Sequence, residues 1–255
     1  MLETQSLTVR FGGHVAVNDV SCAYTPGTLT AIVGPNGAGK TTYFNLISGQ
    51  LRVSAGTVRL NGRDLTKLPA PARMHAGLGR AFQLTQLFPR LSVHENVRLA
   101  LQSRQQGMGW RHIRFWRTWR DDHGLLERAD ALLARTRLAA RRDDPAADLP
   151  HGDQRKLEIA MLIALEPSVF MFDEPTAGMS VDDVPVVLDL IRELKADASK
   201  TILLVEHKMD VVRELADRIV VLHNGRLMAD GDPATVIASP IVQQAYLGIS
   251  APEAA

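Results

Sequence analysis

Apolar and polar positions alternate along the first 25 residues, with breaks at Gly12-Gly13 and Asn18-Asp19, and this two-residue period predicts a short antiparallel β-region. The stretch TLTAIVGPNGAGKTTYFNLISG that follows reads as an apolar strand, a glycine-rich loop and a helix closed by Gly49. GTVRLNGRDL carries an Asn-Gly turn and predicts a hairpin, and HAGLGRAFQ ends in another short strand. From about residue 84 to 166 the spacing becomes helical, which predicts an inserted helical region. Beyond it SVFMFDEP, TILLVEH and RIVVLHNG are short apolar runs separated by helical stretches, the pattern of a parallel sheet with crossover helices.

Composition narrows the picture. With 255 residues, 45% of them apolar, the chain can build a sizeable core. Its 29 basic and 28 acidic residues leave no global field of the kind that drives non-specific nucleic-acid binding. A single cysteine, Cys22, excludes an internal disulfide and a multi-cysteine metal site, and it is expected to be a small buried hydrophobe. MLETQSLTVRF lacks the basic and apolar parts of a secretion signal, and the longest apolar runs fall short of the roughly 20 residues of a membrane span. The expectation is a protein of the cytoplasm that reaches a membrane only by docking.

The chemistry is concentrated in Gly34-Pro35-Asn36-Gly37-Ala38-Gly39-Lys40-Thr41, which fits G-x-x-x-x-G-K-[ST] between a predicted strand and a predicted helix. The glycines let backbone N–H groups turn around phosphate oxygens, Lys40 reaches the β and γ phosphates, and the Thr41 hydroxyl can take Mg²⁺; Thr42 follows in the first turn. The chain is thereby predicted to bind a nucleoside triphosphate. Phosphoryl transfer also needs a carboxylate for the metal and a group that orients water. Asp173 and Glu174, at the end of an apolar strand, are placed for those two tasks.

The phosphate loop, Gln83 after a strand, LPHGDQRKLEIA ahead of FMFDEP, and His207 after TILLVE follow one another in an order that resembles the nucleotide-binding subunit of ATP-binding cassette (ABC) transporters over almost the whole chain. The resemblance implies an α/β fold: a P-loop NTPase (RecA-like) core with an antiparallel β subdomain and an inserted α-helical subdomain. One domain, 1–255, would divide into a core with the β subdomain (1–83 and 167–238), a helical subdomain (84–166) and a C-terminal helix and tail (239–255). It further implies that Phe11 stacks on adenine, that Gln83 touches the metal and relays to the membrane domains, and that His207 contacts the γ-phosphate. Catalysis would rest on Glu174, His207 and Gln83, and Mg²⁺ on Thr41, Gln83 and Asp173.

Where the family has Leu-Ser-Gly-Gly-Gln, this chain has Leu149-Pro150-His151-Gly152-Asp153-Gln154. Proline offers neither hydroxyl nor N–H, which leaves Gly152 and the start of the next helix to favour an anion from a partner subunit. Ser180 stands where many relatives have aspartate. RFGGHVAVNDVS, GDQRKLEIA, PTAGMS, LVEHKMD and VQQAYLG are similar to the ATPases of branched-chain amino acid importers and their urea and amide relatives. That group implies a second ATPase subunit, in a hetero- or homodimer, two membrane permeases, a soluble substrate-binding protein acting indirectly, and a peripheral place on the cytoplasmic face of the membrane. The lipopolysaccharide-transport ATPase is similar too. Soluble relatives acting on DNA or ribosomes carry long coiled coils or paired cassettes, neither of which is present.

One stretch, GWRHIRFWRTWR (109–120), holds all three tryptophans. On a helical wheel Ile113, Phe115, Trp116 and Trp119 fall in an arc of about 160°, with the arginines mainly opposite. It reads as an amphipathic helix that packs on the helical subdomain or meets a partner, and not as a nucleic-acid site.

Overall fold

The computed structural model describes residues 1–81, 87–106, 123–240 and 242–243. Strands β1 (Leu2–Phe11) and β2 (His14–Tyr24) form an antiparallel hairpin, followed by β3 (Leu29–Val33) and helix α1 (Lys40–Ser48). Gly49, at φ 80°, ends α1 in the left-handed conformation a glycine adopts without a steric cost. β4 (Ala55–Leu60) and β5 (Arg63–Asp64) close through Asn61 and Gly62, both at positive φ (51° and 78°), as a two-residue hairpin turn requires. Helix α2 (Ala70–His75) and strand β6 (Leu78–Ala81) lead towards the helical region.

There α3 (Val93–Gln106) begins at a capping box: Glu95 N–H donates to Ser92 Oγ and Ser92 N–H to the Glu95 carboxylate. Helices α4 (His123–Arg135) and α5 (His151–Ala164) pack with α3, and their apolar faces join one cluster through Val97, Leu101, Leu125, Leu133, Leu157 and Ile159. The chain returns through β7 (Val169–Asp173), α6 (Val184–Lys195), β8 (Thr201–Val205), α7 (Met209–Leu215), β9 (Arg218–His223), β10 (Arg226–Gly231) and α8 (Pro233–Ala238). The predicted C-terminal helix (239–255) lies mostly outside the described residues, as does the tryptophan segment.

Two sheets result: an antiparallel one ordered β2-β1-β4-β5, and a six-stranded one ordered β10-β9-β3-β8-β7-β6, parallel except for the β10 edge. Every residue of β3, β7 and β8 is buried, because helices or the β-region cover both faces of the parallel sheet. The two-residue period divides them. Phe170, Phe172, Ile202 and Leu204 enter the cluster with the helical region, while Met171, Leu203 and Val205 enter the cluster with α1 and the β-region. A side chain of this size stabilises by roughly 1.5 to 3 kcal/mol when fully buried, so these strands are a rigid frame for the residues at their ends.

A buried arginine anchors the phosphate-loop helix to that frame. Arg73 of α2, 1% exposed, donates to the carbonyl oxygens of Leu46 and Ile47 (both 2.7 Å) in the last turn of α1, and to those of Leu68 and Thr66. Those α1 carbonyls have no helical partner and sit at the negative end of the helix, so a cation suits them. Arg73→Met strands them in the core. Hydrogen bonds to charged groups contribute about 1.5 to 3 kcal/mol each, so the variant is expected to lose roughly 3 kcal/mol in urea unfolding; an unchanged midpoint would show that water replaces the guanidinium there.

Candidate nucleotide-binding and hydrolysis site

The loop from Gly34 to Gly39 leaves the carboxyl end of β3 and enters α1. Two glycines are dictated by what surrounds them. A Cβ on Gly34 would lie 2.1 Å from the Leu222 carbonyl oxygen, and one on Gly39 would lie 2.6 Å from that of Ala16. Both have positive φ, so any side chain would be strained as well as obstructed. The loop is braced by the neighbouring turn: Gly225 N–H donates to Ala38 O and Asn18 N–H to Gly225 O. Pro35 and Gly39 are half-buried, Ala38 is buried, and Asn36 and Gly37 face solvent.

Lys40 is folded over its own loop and donates to the carbonyl oxygens of Gly34 (2.7 Å) and Pro35 (3.0 Å). Burial lowers its pKa, while Glu174 and Asp173 raise it. Thr41 and Thr42, half-buried, occupy the first turn of α1, whose free N–H groups favour an anion. Phe11 ends β1 with half its surface exposed, on the hairpin whose return strand β2 carries Ala16 against the loop. Gln83 lies outside the described residues.

In the sheet order β8 stands between β3 and β7, so the residues after β8 and β7 emerge side by side at the carboxyl edge. Asp173 ends β7 and Glu174 turns away at φ 50°, a left-handed conformation that costs a non-glycine residue roughly 1 to 2 kcal/mol. Its N–H donates to Val205 O of β8 (2.9 Å), which holds the turn. The Glu174 carboxylate Oε1 then meets His207 Nε2 at 2.8 Å, at a partly exposed edge where water can enter.

The sequence reading misses the partner of Asp173. Arg80 of β6 pairs with Asp173 Oδ2 at 2.6 Å, with side chains 5% and 0% exposed. The guanidinium also donates to Asn45 Oδ1, Ser48 Oγ and Gln50 Oε1, and it lies over the Phe44 ring. Burial pushes the Asp173 carboxyl up, and Arg80 is the main opposing influence. The other oxygen, Oδ1, is buried and has no hydrogen-bond partner among the described residues. An unpartnered buried carboxylate oxygen at the carboxyl edge of the sheet fits a hard cation such as Mg²⁺.

Gly152 belongs to a second group. It is the second residue of α5, after Pro150 (φ −55°, ψ 154°) at the cap, and a Cβ there would lie 2.7 Å from Asp183 Oδ2. Asp183 also accepts from Ser180 Oγ (2.7 Å) and Lys156 Nζ (2.9 Å), and Lys156 reaches Asp153 at 2.6 Å. Ser180, at the exposed surface, also accepts from the Asp183 N–H (3.2 Å) just ahead of α6, and Lys156 joins α5 to the loop after Glu174. Between α2, β6 and α5 opens a cavity of about 450 Å³, lined mainly by apolar side chains including Met74, Leu78, Met161, Leu162 and Leu165.

A phosphate loop, and an acidic pair two strands away in the same parallel sheet, define a P-loop nucleoside triphosphatase. The ABC transporter family model matches residues 17–177. The chain is 36% identical to LivG, the high-affinity branched-chain amino acid transport ATP-binding protein of Escherichia coli, over 97% of this chain and 98% of that protein. BraF of Pseudomonas aeruginosa, of the same description, is 35% identical with the same coverage. The lipopolysaccharide export ATP-binding protein LptB of Acidithiobacillus ferridurans is 33% identical over 97% of each chain. A crystal structure of the ADP conformation of an ATP-binding cassette of an ABC transporter superposes with TM-score 0.80 at 29% identity, covering 98% of this chain and 99% of that one. The chain belongs to the ABC transporter family as an ATP-binding, ATP-hydrolysing subunit.

Proposed function

We propose that this ATPase energises an importer of branched-chain amino acids or related amino acids. The observation that carries the reading is similarity to LivG and BraF over nearly the full length of both chains. In this reading the chain acts from the cytoplasmic face through two permease subunits; among the described residues no helix is long and apolar enough to cross a membrane. The cavity between α2, β6 and α5 supports docking of a permease segment, since its lining is mainly apolar and its two charged residues, Arg80 and Glu158, are already held in ion pairs with Asp173 and Arg155.

In this reading the phosphates of ATP lie over Gly34 to Thr42, with Lys40 exchanging its loop carbonyls for phosphate oxygens and the adenine stacking on Phe11. Thr41, Asp173 and Gln83 would hold Mg²⁺, which supplies neutralisation of developing phosphate charge. Glu174 orients the attacking water and takes its proton, while His207 holds the Glu174 carboxylate and faces the γ-phosphate. A second cassette, identical or different, would close over the nucleotide with its own Gly152 position. Because Pro150 removes one donor from that surface, a pair with two unequal subunits suits this chain.

The chain reconstituted in liposomes with its permeases and binding protein is expected to hydrolyse ATP faster when the binding protein carries leucine, isoleucine or valine. Stimulation by urea or by lipopolysaccharide, with none from these amino acids, would overturn the substrate assignment.

A further inference from the structure

One buried carboxylate near the site has no part in the chemistry above. Glu206 follows β8 directly, is 3% exposed, and its three donors are all uncharged. Thr176 Oγ1 donates to Oε1 at 2.6 Å, and the backbone N–H groups of His207 (2.9 Å) and Lys208 (3.3 Å) donate to Oε2. Thr176, 1% exposed, lies two residues after Glu174. Both arms of the Glu174–His207 contact are therefore tied to a single carboxyl group, His207 through its own N–H and Glu174 through Thr176 two residues on.

We propose that Glu206 is a positioning residue that holds His207 in register with Glu174. It touches neither the imidazole nor the Glu174 carboxylate; it fixes the backbone from which each departs. Glu174 sits in a left-handed turn, and His207 begins the loop into α7, so neither side chain is placed by regular secondary structure. A common acceptor joining the two loops makes their separation depend on one rigid side chain. This inference rests on the assignment of Glu174 and His207 to hydrolysis.

Leucine at 206 removes the acceptor and leaves two buried N–H groups stranded, whereas glutamine can still accept from both and donate to Thr176 Oγ1. The test is steady-state ATPase of the full chain in the assembled transporter for Glu206→Leu, Glu206→Gln, Thr176→Val and His207→Ala, and the pairs with His207→Ala. Glu206→Leu is expected to lower kcat roughly tenfold with KM for ATP within about twofold, less than the ~10² that a 1 Å misplacement can cost. Glu206→Gln should restore most of the loss, and adding His207→Ala to Glu206→Leu should cost nothing beyond His207→Ala alone. Where Glu206→Leu fails to fold, Thr176→Val, which strands no backbone group, is expected to show a smaller kcat loss with the same lack of additivity.

A loss in His207→Ala with none in the position 206 or 176 variants overturns the positioning role alone, as do losses that multiply with His207→Ala. An unchanged kcat in His207→Ala overturns the reading of the histidine and this inference with it.

Discussion

Glu174→Gln is expected to keep ATP bound and the chain folded while turnover falls by roughly 10² to 10⁴, the range for removal of a general base. The two side chains have the same shape and both tolerate the φ of 50° equally, so the backbone turn anchored on Val205 stays as it is. What changes is the atom facing His207 and the incoming water: a carboxylate that accepts a proton becomes an amide that does not. Lys40 keeps its contacts with the loop, so nucleotide affinity has no reason to fall. Single-turnover hydrolysis in the assembled transporter, beside equilibrium ATP binding, separates the two quantities. Hydrolysis within a few-fold of the parent rate would remove Glu174 from the base role and leave water activation to another group.

The sequence carries this site unevenly, for a physical reason. The phosphate loop is legible because its conformation is local: glycines 34 and 39 meet backbone carbonyls that no side chain could share space with, and that constraint leaves a fixed spacing. The fold class is legible because β3, β7 and β8 are buried on both faces and so read as unbroken apolar runs. Edge features escape. β10 pairs antiparallel on the sheet's edge, and its half-buried mixture of residues leaves no periodic pattern; α8 is too short for one. Pro150 and Gly152, in the segment that stands where the family has Leu-Ser-Gly-Gly-Gln, stand out by composition, but that the Asp183 carboxylate lies against Gly152 is a contact across 31 positions that spacing cannot reveal.

The charged residues that organise the site are the ones sequence reasoning passes over. Arg73, Arg80 and Glu206 each interrupt or end an apolar segment, where a charge is commonly solvated. Each has a partner outside its own element: Asp173 is 93 positions from Arg80, Thr176 is 30 from Glu206, and Leu46 is 27 from Arg73. The usable signal is a charged residue at an inward position of a strand flanked by buried neighbours, as Arg80 is in the fully buried LGRA of β6. Such a residue must have a partner, because an unpaired charge in the core is too costly to keep.

That cost sets the effect of Arg80→Met, expected to destabilise the chain by roughly 3 to 5 kcal/mol, the usual consequence of removing one partner of a buried ion pair. Methionine fills much of the volume over Phe44, so packing is largely kept and the loss comes from Asp173, left charged and 2% exposed, and from Asn45 and Ser48, which lose their donor. The double variant Arg80→Met/Asp173→Asn is then expected to be more stable than Arg80→Met alone, and equal stability of the two would place the loss in packing. The pH dependence has a definite sign. Burial already raises the Asp173 carboxyl above the ordinary carboxylate value, and the variant loses the guanidinium that opposes this. The folded variant therefore holds a proton more tightly than the unfolded chain, so its stability falls as pH rises through the window between the unfolded pKa and the higher folded one. Below that window the carboxyl is neutral in both states and the penalty vanishes. Unfolding midpoints measured in urea at a series of pH values should show the deficit of Arg80→Met, relative to the parent, narrowing as the solution is made more acidic; a deficit independent of pH would mean that Asp173 finds another cation when Arg80 is gone.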